Sequence, residues 1–370
     1  MKIKKKILFC INSLETKGGG AEKILSIVVN YLANQNFDIK LITFDSSKNK
    51  FFYNFSKKID IYTLGHLNFF KNPYLLHLNR IVILMVYLFK IKPEVSFGFM
   101  HSIYVNLAFA SIFSKSKIVA CEHILPRHFL DKKMEFFLIK LASILIDRIT
   151  VVSEQVKNTF KGLLKKKMIV INNIVNTAEY KNKSKCKREK IILSVGRFVK
   201  QKNFIILVNA FHKFQEKNKG WKLIIIGEGL EKQKTLSLIK YLKIEKNAKV
   251  INFTKKLSGY YKKSSIYVCT SIYESFGLTV AEALVHRLPC VAFKKCSGVN
   301  KIITNNKNGL LISGNFDDYH YLSKALDKLA NNKKKLEKMQ NYYDPQFLVQ
   351  NSELYVFKKW KALINQLTVE

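Results

Sequence analysis

Acidic residues are scarce in this chain. Over 370 residues, 26 Asp and Glu stand against 64 Lys and Arg, a formal net charge of +38. The excess is +15 over residues 1–180 and +23 over the remainder, which excludes a basic tail on a neutral body. With 48% hydrophobic residues, the chain is not a disordered polyelectrolyte either. Cysteine is sparse and scattered: Cys10, Cys121, Cys186, Cys269, Cys290 and Cys296 form no C-x-x-C pair. That argues against a zinc site or disulfide framework and fits a reducing cytoplasm. Long apolar runs are missing as well. The greasiest, Ile81–Phe89, is nine residues between Arg80 and Lys90, against about 20 for a membrane span. The basic opening is followed by only five apolar residues, Ile7–Ile11, too short for a signal core, so they read as a strand.

What is present is rhythm. ILFCI reads as a strand, Gly18-Gly19-Gly20 as a turn, and Ile24, Ile27, Val28, Tyr31 and Leu32 as one face of a helix. Strand IKLITF follows, then helix-like 74–90, strand EVSFGF, helix 102–113, strand KIVAC, a helix near 133–146 and strand DRITVVS. The polar, basic stretch Asn172–Lys190 reads as a linker. The alternation then restarts with strand IILSVG and continues to strand NGLLI. The expected fold is α/β, two doubly wound Rossmann-like parallel-sheet domains facing a cleft. The expected boundaries are 1–171, a linker 172–190, a second domain 191–345, and a C-terminal helix 346–370 packing back on the first domain.

Several residue sets suit a phosphorylated ligand. Gly19 and Gly20 precede a helix and let backbone amides approach an anion; a tight turn is the plain alternative. Gly196-Arg197 ends a strand, and Lys202 opens the next helix. Arg forks two oxygens and Lys acts as a point charge, a suitable pair for a diphosphate, although single cations in so basic a chain are usually solvated. The strongest cluster is Glu274-Ser275-Phe276-Gly277-Leu278-Thr279-Val280-Ala281-Glu282. It reads as a loop carrying Glu274 into a helix, with exposed amides at Gly277, Leu278 and Thr279 and with Glu282 about one turn in. Both carboxylates can accept hydrogen bonds from sugar hydroxyls; a helix-start acid plus an exposed helical Glu is the alternative.

As an ordered set, these motifs resemble the retaining GT-B glycosyltransferases of the GT4 type (glycosyltransferase group 1). The set comprises GGGAEK, Ala120-Cys121-Glu122-His123, VINNIVN at 170–176, Gly196-Arg197 with Lys202-Asn203, Gly227-Glu228-Gly229, Glu274 to Glu282, and Leu288-Pro289-Cys290-Val291. The resemblance runs from about residue 7 to 312. It implies donor binding by Gly19, Gly20, Arg197, Lys202, Glu274, Phe276, Gly277, Leu278, Thr279 and Glu282. Arg197 and Lys202 would neutralise the donor diphosphate without a metal, Glu274 would contact the transferred sugar, and Glu282 would hold the ribose. His123 would orient sugar or acceptor. No cofactor is implied beyond the nucleotide-sugar co-substrate, most simply UDP-linked. The chain lacks an Asp-x-Asp metal motif. It departs from the family where Arg287 replaces a glycine, Lys301 replaces an acid, and Asn172 and Ile174 replace Pro and Gly.

For such an enzyme the acceptor expected is an undecaprenyl-diphosphate-linked saccharide of O-antigen, lipopolysaccharide, capsule or protein glycosylation. The enzyme would be cytoplasmic and peripheral at the anionic inner face of the bacterial plasma membrane. Helix 74–90 would either dip into that interface or cover the first sheet, and its all-round apolar character favours burial. A non-catalytic GT-B accessory protein is the rival reading. Nucleic acid is not expected as a partner, because no RRM, KH or zinc motif accompanies the charge.

Overall fold

The computed structural model describes residues 4–47, 51–69, 72–129, 132–181 and 187–368. The chain divides into two compact units, Met1–Asn173 with Leu354–Glu370, and Ile174–Glu353.

The first unit is built on strands β1 (Lys6–Ile11), β2 (Asp38–Thr43), β3 (Asp60–Thr63), β4 (Val95–Phe99), β5 (Lys117–Glu122), β6 (Arg148–Val151) and β7 (Met168–Val170). They form one parallel sheet in the order β3-β2-β1-β4-β5-β6-β7. The central strands are apolar runs because a parallel sheet is covered on both faces, and β1 and β4 are buried almost throughout. Its helices are α1 (Gly20–Ala33), α2 (Pro73–Ile91), α3 (His101–Ala110), α4 (Lys133–Leu145), α5 (Glu154–Thr159) and α6 (Gly162–Lys166).

The second unit carries β8 (Ile191–Val195), β9 (Lys222–Ile226), β10 (Ala248–Ile251), β11 (Ile266–Cys269), β12 (Cys290–Phe293) and β13 (Gly309–Ile312). Their order, again parallel, is β10-β9-β8-β11-β12-β13. Its helices are α7 (Ala178–Lys181), α8 (Phe204–Gln215), α9 (Lys232–Tyr241), α10 (Leu257–Lys263), α11 (Leu278–Val285), α12 (Val299–Ile302), α13 (Tyr319–Ala330), α14 (Lys333–Gln340) and α15 (Pro345–Gln350). The last helix, α16 (Glu353–Thr368), belongs to the first unit from Leu354 onward. There Trp360 packs on Phe97 and Phe99 of β4, and Phe357 stacks on Tyr31 of α1 at 3.6 Å.

Both sheets reverse strand order once, between β1 and β4 and between β8 and β11. Loops at the carboxyl ends of those strands diverge to opposite faces, and α/β proteins place ligands there. The structure moves two boundaries. Ile174 and Val175 are buried in the second unit, where the Val175 amide donates to the Asn351 carbonyl, so the chain changes unit at 173/174 and not over 172–190. Residues 182–186 of the expected linker, Cys186 included, lie outside the described residues. Residues 346–353, expected with the terminal helix, belong to the second unit. The five described cysteines are buried free thiols.

The expectation that helix 74–90 is buried is corrected. Asn72 caps α2 by accepting from the Tyr74 and Leu75 amides, and Lys92 ends it in the left-handed conformation. Leu84, Leu88 and Ile91 point inward, but Leu75, Leu78, Val82, Val86 and Phe89 form an outward stripe at spacings of three and four residues. Both faces of α2 are apolar, so only the direction in which it docks decided which was covered. Helix α4 repeats the pattern with outward Met134, Phe137, Leu141 and Ile144 over inward Ile139 and Ala142.

Candidate functional site

In the second unit, β8 and β11 are adjacent, so the loops that follow them share one sheet edge. After β8 come Gly196 and exposed Arg197, then a short turn ending at Lys202. Gly196 matters for its missing side chain, because a Cβ there would stand 3.2 Å from the Lys202 Cε. The lysine stem therefore lies across the glycine and reaches the β11 loop. Its Nζ meets the Glu274 Oε1 at 2.5 Å, and Ser271 Oγ donates to the same oxygen at 2.7 Å. Burial works against the Lys202 charge, but Glu274 and Cys269 outweigh it, and its pKa stands above that of an ordinary lysine. Arg197 is near enough for its charge to be felt at Lys202. Two cations and a carboxylate thus share one strand edge.

The loop carrying Glu274 is pinned from the opposite side. The Glu274 amide donates to the Ser297 carbonyl, and Gly298, at φ 77°, passes so close that a Cβ would lie 2.4 Å from the Glu274 carbonyl oxygen. Phe276 is buried, and Gly277 starts α11 in the left-handed conformation at φ 88°. No side chain caps α11, so the first amides of the helix (Leu278, Thr279) remain as anion donors. The Thr279 hydroxyl accepts from Tyr267, whose own oxygen also reaches the Val195 carbonyl. Glu282 is buried, and Tyr261 donates to its Oε2 at 3.0 Å. The neighbouring Cys296 thiol, with Lys202, holds the Cys269 thiol below its usual range.

In the first unit the glycine turn leads into α1. Gly19 is its N-cap residue and Gly20 its first residue, again with no side-chain cap. Asp45, just beyond β2, fixes the preceding loop by accepting from Ser13, the Leu14 amide and Thr43. His123 follows β5 and stacks on Phe99 at 5.5 Å. Burial lowers its pKa to about 4, so the imidazole is neutral at pH 7. Beside it, buried Glu122 accepts from the Tyr104 hydroxyl at 2.5 Å and from the Ile124 amide. Burial raises that carboxyl to about 7 against these hydrogen bonds.

The structure therefore brings together Arg197, Lys202, Glu274, Phe276, Gly277, Leu278, Thr279 and Glu282 in the second unit. Gly19, Gly20 and His123 belong to the first. Sequence reading missed Tyr261, Tyr267, Ser271 and Asp45, which hold the others in place. It also missed His101, which opens α3 beyond β4 and whose Nδ1 is buried with no hydrogen-bond partner among the described residues. One departure from the family pattern is explained. Arg287 adopts the left-handed φ of 56° that glycine would favour, and its guanidinium lies 4.0 Å over Tyr180 while Nε donates to the Tyr180 carbonyl.

Two Rossmann-like parallel-sheet units are the architecture of GT-B proteins, and the fold comparison agrees. HepE from Anabaena, solved in complex with UDP, superposes with a TM-score of 0.75 at 16% identity, covering 98% of this chain and all of that one. A family model, glycosyl transferases group 1, matches residues 176–344. An uncharacterised glycosyltransferase of Haemophilus influenzae is 32% identical over 335 residues, 89% of this chain and 91% of the relative. This chain belongs to the group 1 glycosyltransferases. A Campylobacter jejuni enzyme, an α-1,4-N-acetyl-D-galactosaminyltransferase acting on a diphospho-undecaprenol saccharide, is 22% identical over 329 residues. That match covers 88% of this chain and 89% of the relative.

Proposed function

We propose that this glycosyltransferase moves a hexose or N-acetylhexosamine from a UDP-sugar to a lipid-linked saccharide in bacterial surface-glycan assembly. The reaction retains configuration and needs neither metal nor cofactor. The observation that carries the reading is the convergence of Arg197, Lys202 and Glu274 on one strand edge beside the open amides of α11.

Arg197 and Lys202 neutralise the diphosphate, and the Leu278 and Thr279 amides add fixed dipoles where negative charge grows as the bond to the sugar opens. Glu274 takes sugar hydroxyls, and Glu282, held by Tyr261, takes those of the ribose. The bond from the anomeric carbon to the phosphate oxygen breaks, and an acceptor hydroxyl bonds to that carbon on the same face. Its proton passes to the departing phosphate. For the first unit the proposed roles are an anion contact at the Gly19–Gly20 turn and hydrogen bonding of sugar or acceptor by neutral His123. The UDP complex of HepE supports the choice of nucleotide. The diphospho-undecaprenol substrate in the name of the Campylobacter relative supports the acceptor class, and its α-linkage supports retention for a donor that is an α-linked UDP-sugar. Work on such a carrier puts the protein at the cytoplasmic, anionic face of the plasma membrane.

The test is sugar transfer from a panel of labelled UDP-sugars to extracted carrier lipids, with product anomer read by NMR and chelator present throughout. Arg197→Ala and Glu274→Ala should each abolish transfer. Full activity in both variants, or loss of turnover with chelator, would overturn the reading.

A further inference from the structure

The outward stripes of α2 and α4 serve neither the donor site nor the packing of the first unit. Right-handed crossovers place α2, α3 and α4 on one face of the sheet, and α3 is buried along most of its length between the other two. The two stripes therefore belong to a single layer. Ile112 and Phe113, just past α3, extend it. Exposure within this set runs from 43% at Leu141 to 75% at Phe113, and it is the gathering of so many apolar side chains on one layer that marks an interaction surface.

We propose that this layer is the surface by which the protein lies on an anionic lipid bilayer, with α2 and α4 in the plane of the interface. Charge selects the occupant. Residues 72–145 carry nine Lys and Arg against four Asp and Glu, one of which, Glu122, is buried. A second copy would bring like charges face to face, whereas acidic headgroups complement them. Exposed Lys90, Lys133 and Lys140 flank the stripes, Lys90 over the Tyr87 ring and Lys140 over the Phe136 ring, positions from which long side chains can extend to headgroups.

Helix α2 is long and apolar enough to cross a membrane, but its attachments oppose crossing. Leu84 and Leu88 are buried in the unit, His77 bonds to Asn106 of α3 at 3.0 Å, and Arg80 bonds to Asn68 and lies 4.8 Å over Phe44. Spanning would strip these contacts and carry polar partners into hydrocarbon. Lying flat keeps them. The choice of lipid as occupant leans on the lipid-linked acceptor proposed above; the surface itself is independent of the donor site.

Co-flotation of the full chain with phosphatidylcholine vesicles, with and without phosphatidylglycerol, at low and high salt tests the inference. The wild-type chain should float with the anionic vesicles. Val82→Glu with Phe137→Glu should lose about tenfold or more of the bound fraction at both salts, and Lys133→Glu with Lys140→Glu should lose it mainly at low salt. Circular dichroism and UDP affinity should be unchanged in both, which separates loss of docking from misfolding. Flotation of the apolar variant equal to wild type, or no wild-type flotation, overturns the proposal. So does a wild-type dimer, without lipid binding, that the apolar variant converts to monomer. Vesicle binding without UDP binding would leave this surface standing and remove the catalytic reading instead.

Discussion

Lys202 and Glu274, 72 positions apart, meet at 2.5 Å because β8 and β11 are neighbours in the sheet. The carboxylate keeps the lysine charged in a half-buried place, and Ser271 keeps the carboxylate aimed. Each partner is thus part of the other's setting.

Their energies should not add. Lys202→Ala and Glu274→Gln, singly and together, form a cycle whose coupling is expected at about 1–3 kcal/mol in urea unfolding. Glu274→Gln should cost transfer about a hundredfold or more while leaving UDP affinity within roughly tenfold. Lys202→Ala should weaken both. Additive stabilities would dismiss the pair as a surface contact.

Gly298 offers a steric test of the loop. Gly298→Ala places a methyl against the Glu274 carbonyl at positive φ, so a loss of about 2 kcal/mol or more is expected, together with reduced transfer. Gly220→Ala, at φ 82° but with open space around it, should cost only about 1 kcal/mol and leave transfer intact. Equal effects would mean that backbone strain, and not the approach to Glu274, matters at 298.

The Tyr261–Glu282 bond should be read in nucleotide preference. If Glu282 holds the ribose, Glu282→Gln loses most of the wild-type preference for UDP over 2′-deoxy-UDP in calorimetry. Tyr261→Phe should lower that preference and cost about 1–3 kcal/mol of stability, since a buried carboxylate loses a donor. Unaltered discrimination in both variants would take Glu282 out of the site.

Glu122 and His123 predict opposing pH dependences. Burial raises Glu122 from 4.5 to about 7, so across that range the folded state holds the extra proton and stability falls as pH rises. Burial lowers His123 from 6.5 to about 4, so there the unfolded state holds the extra proton and stability falls as pH drops. Between 4.5 and 6.5 the two slopes oppose each other. Glu122→Gln leaves the histidine slope alone, and the stability of the variant relative to wild type should climb from about pH 5 to about pH 7.5. Parallel profiles in urea titrations would refute the buried acid.

Much of this architecture was legible because buried parallel strands are short apolar runs and phosphate-binding turns concentrate Gly, Arg and Lys at strand ends. β1, β8 and β11 and the stretch from Glu274 to Glu282 were visible in that way. β3 and β7 were not: β3 is a half-exposed edge strand without a clear apolar run, and β7 has three residues. α13 and α14, beyond the last apolar strand, were unread as well. Tyr261, Tyr267 and Asp45 carry no local signature, since they bond to other segments of the chain: a helix for the tyrosines and the Ser13–Leu14 loop for Asp45. The misjudged burial of α2 has a different cause: when both faces of a helix are apolar, periodicity holds no information about whether one of them is left uncovered.

The return of α16 to the first unit also orders events during synthesis. Residues up to Asn173 emerge while the segment that seats Trp360 on Phe97 and Phe99 lies about 180 codons away. At roughly 5–20 residues per second the ribosome takes about 10–40 s to supply it. The earlier unit therefore waits, through synthesis of the whole later one, with aromatic rings uncovered. For that interval the nascent protein is a natural client for chaperones.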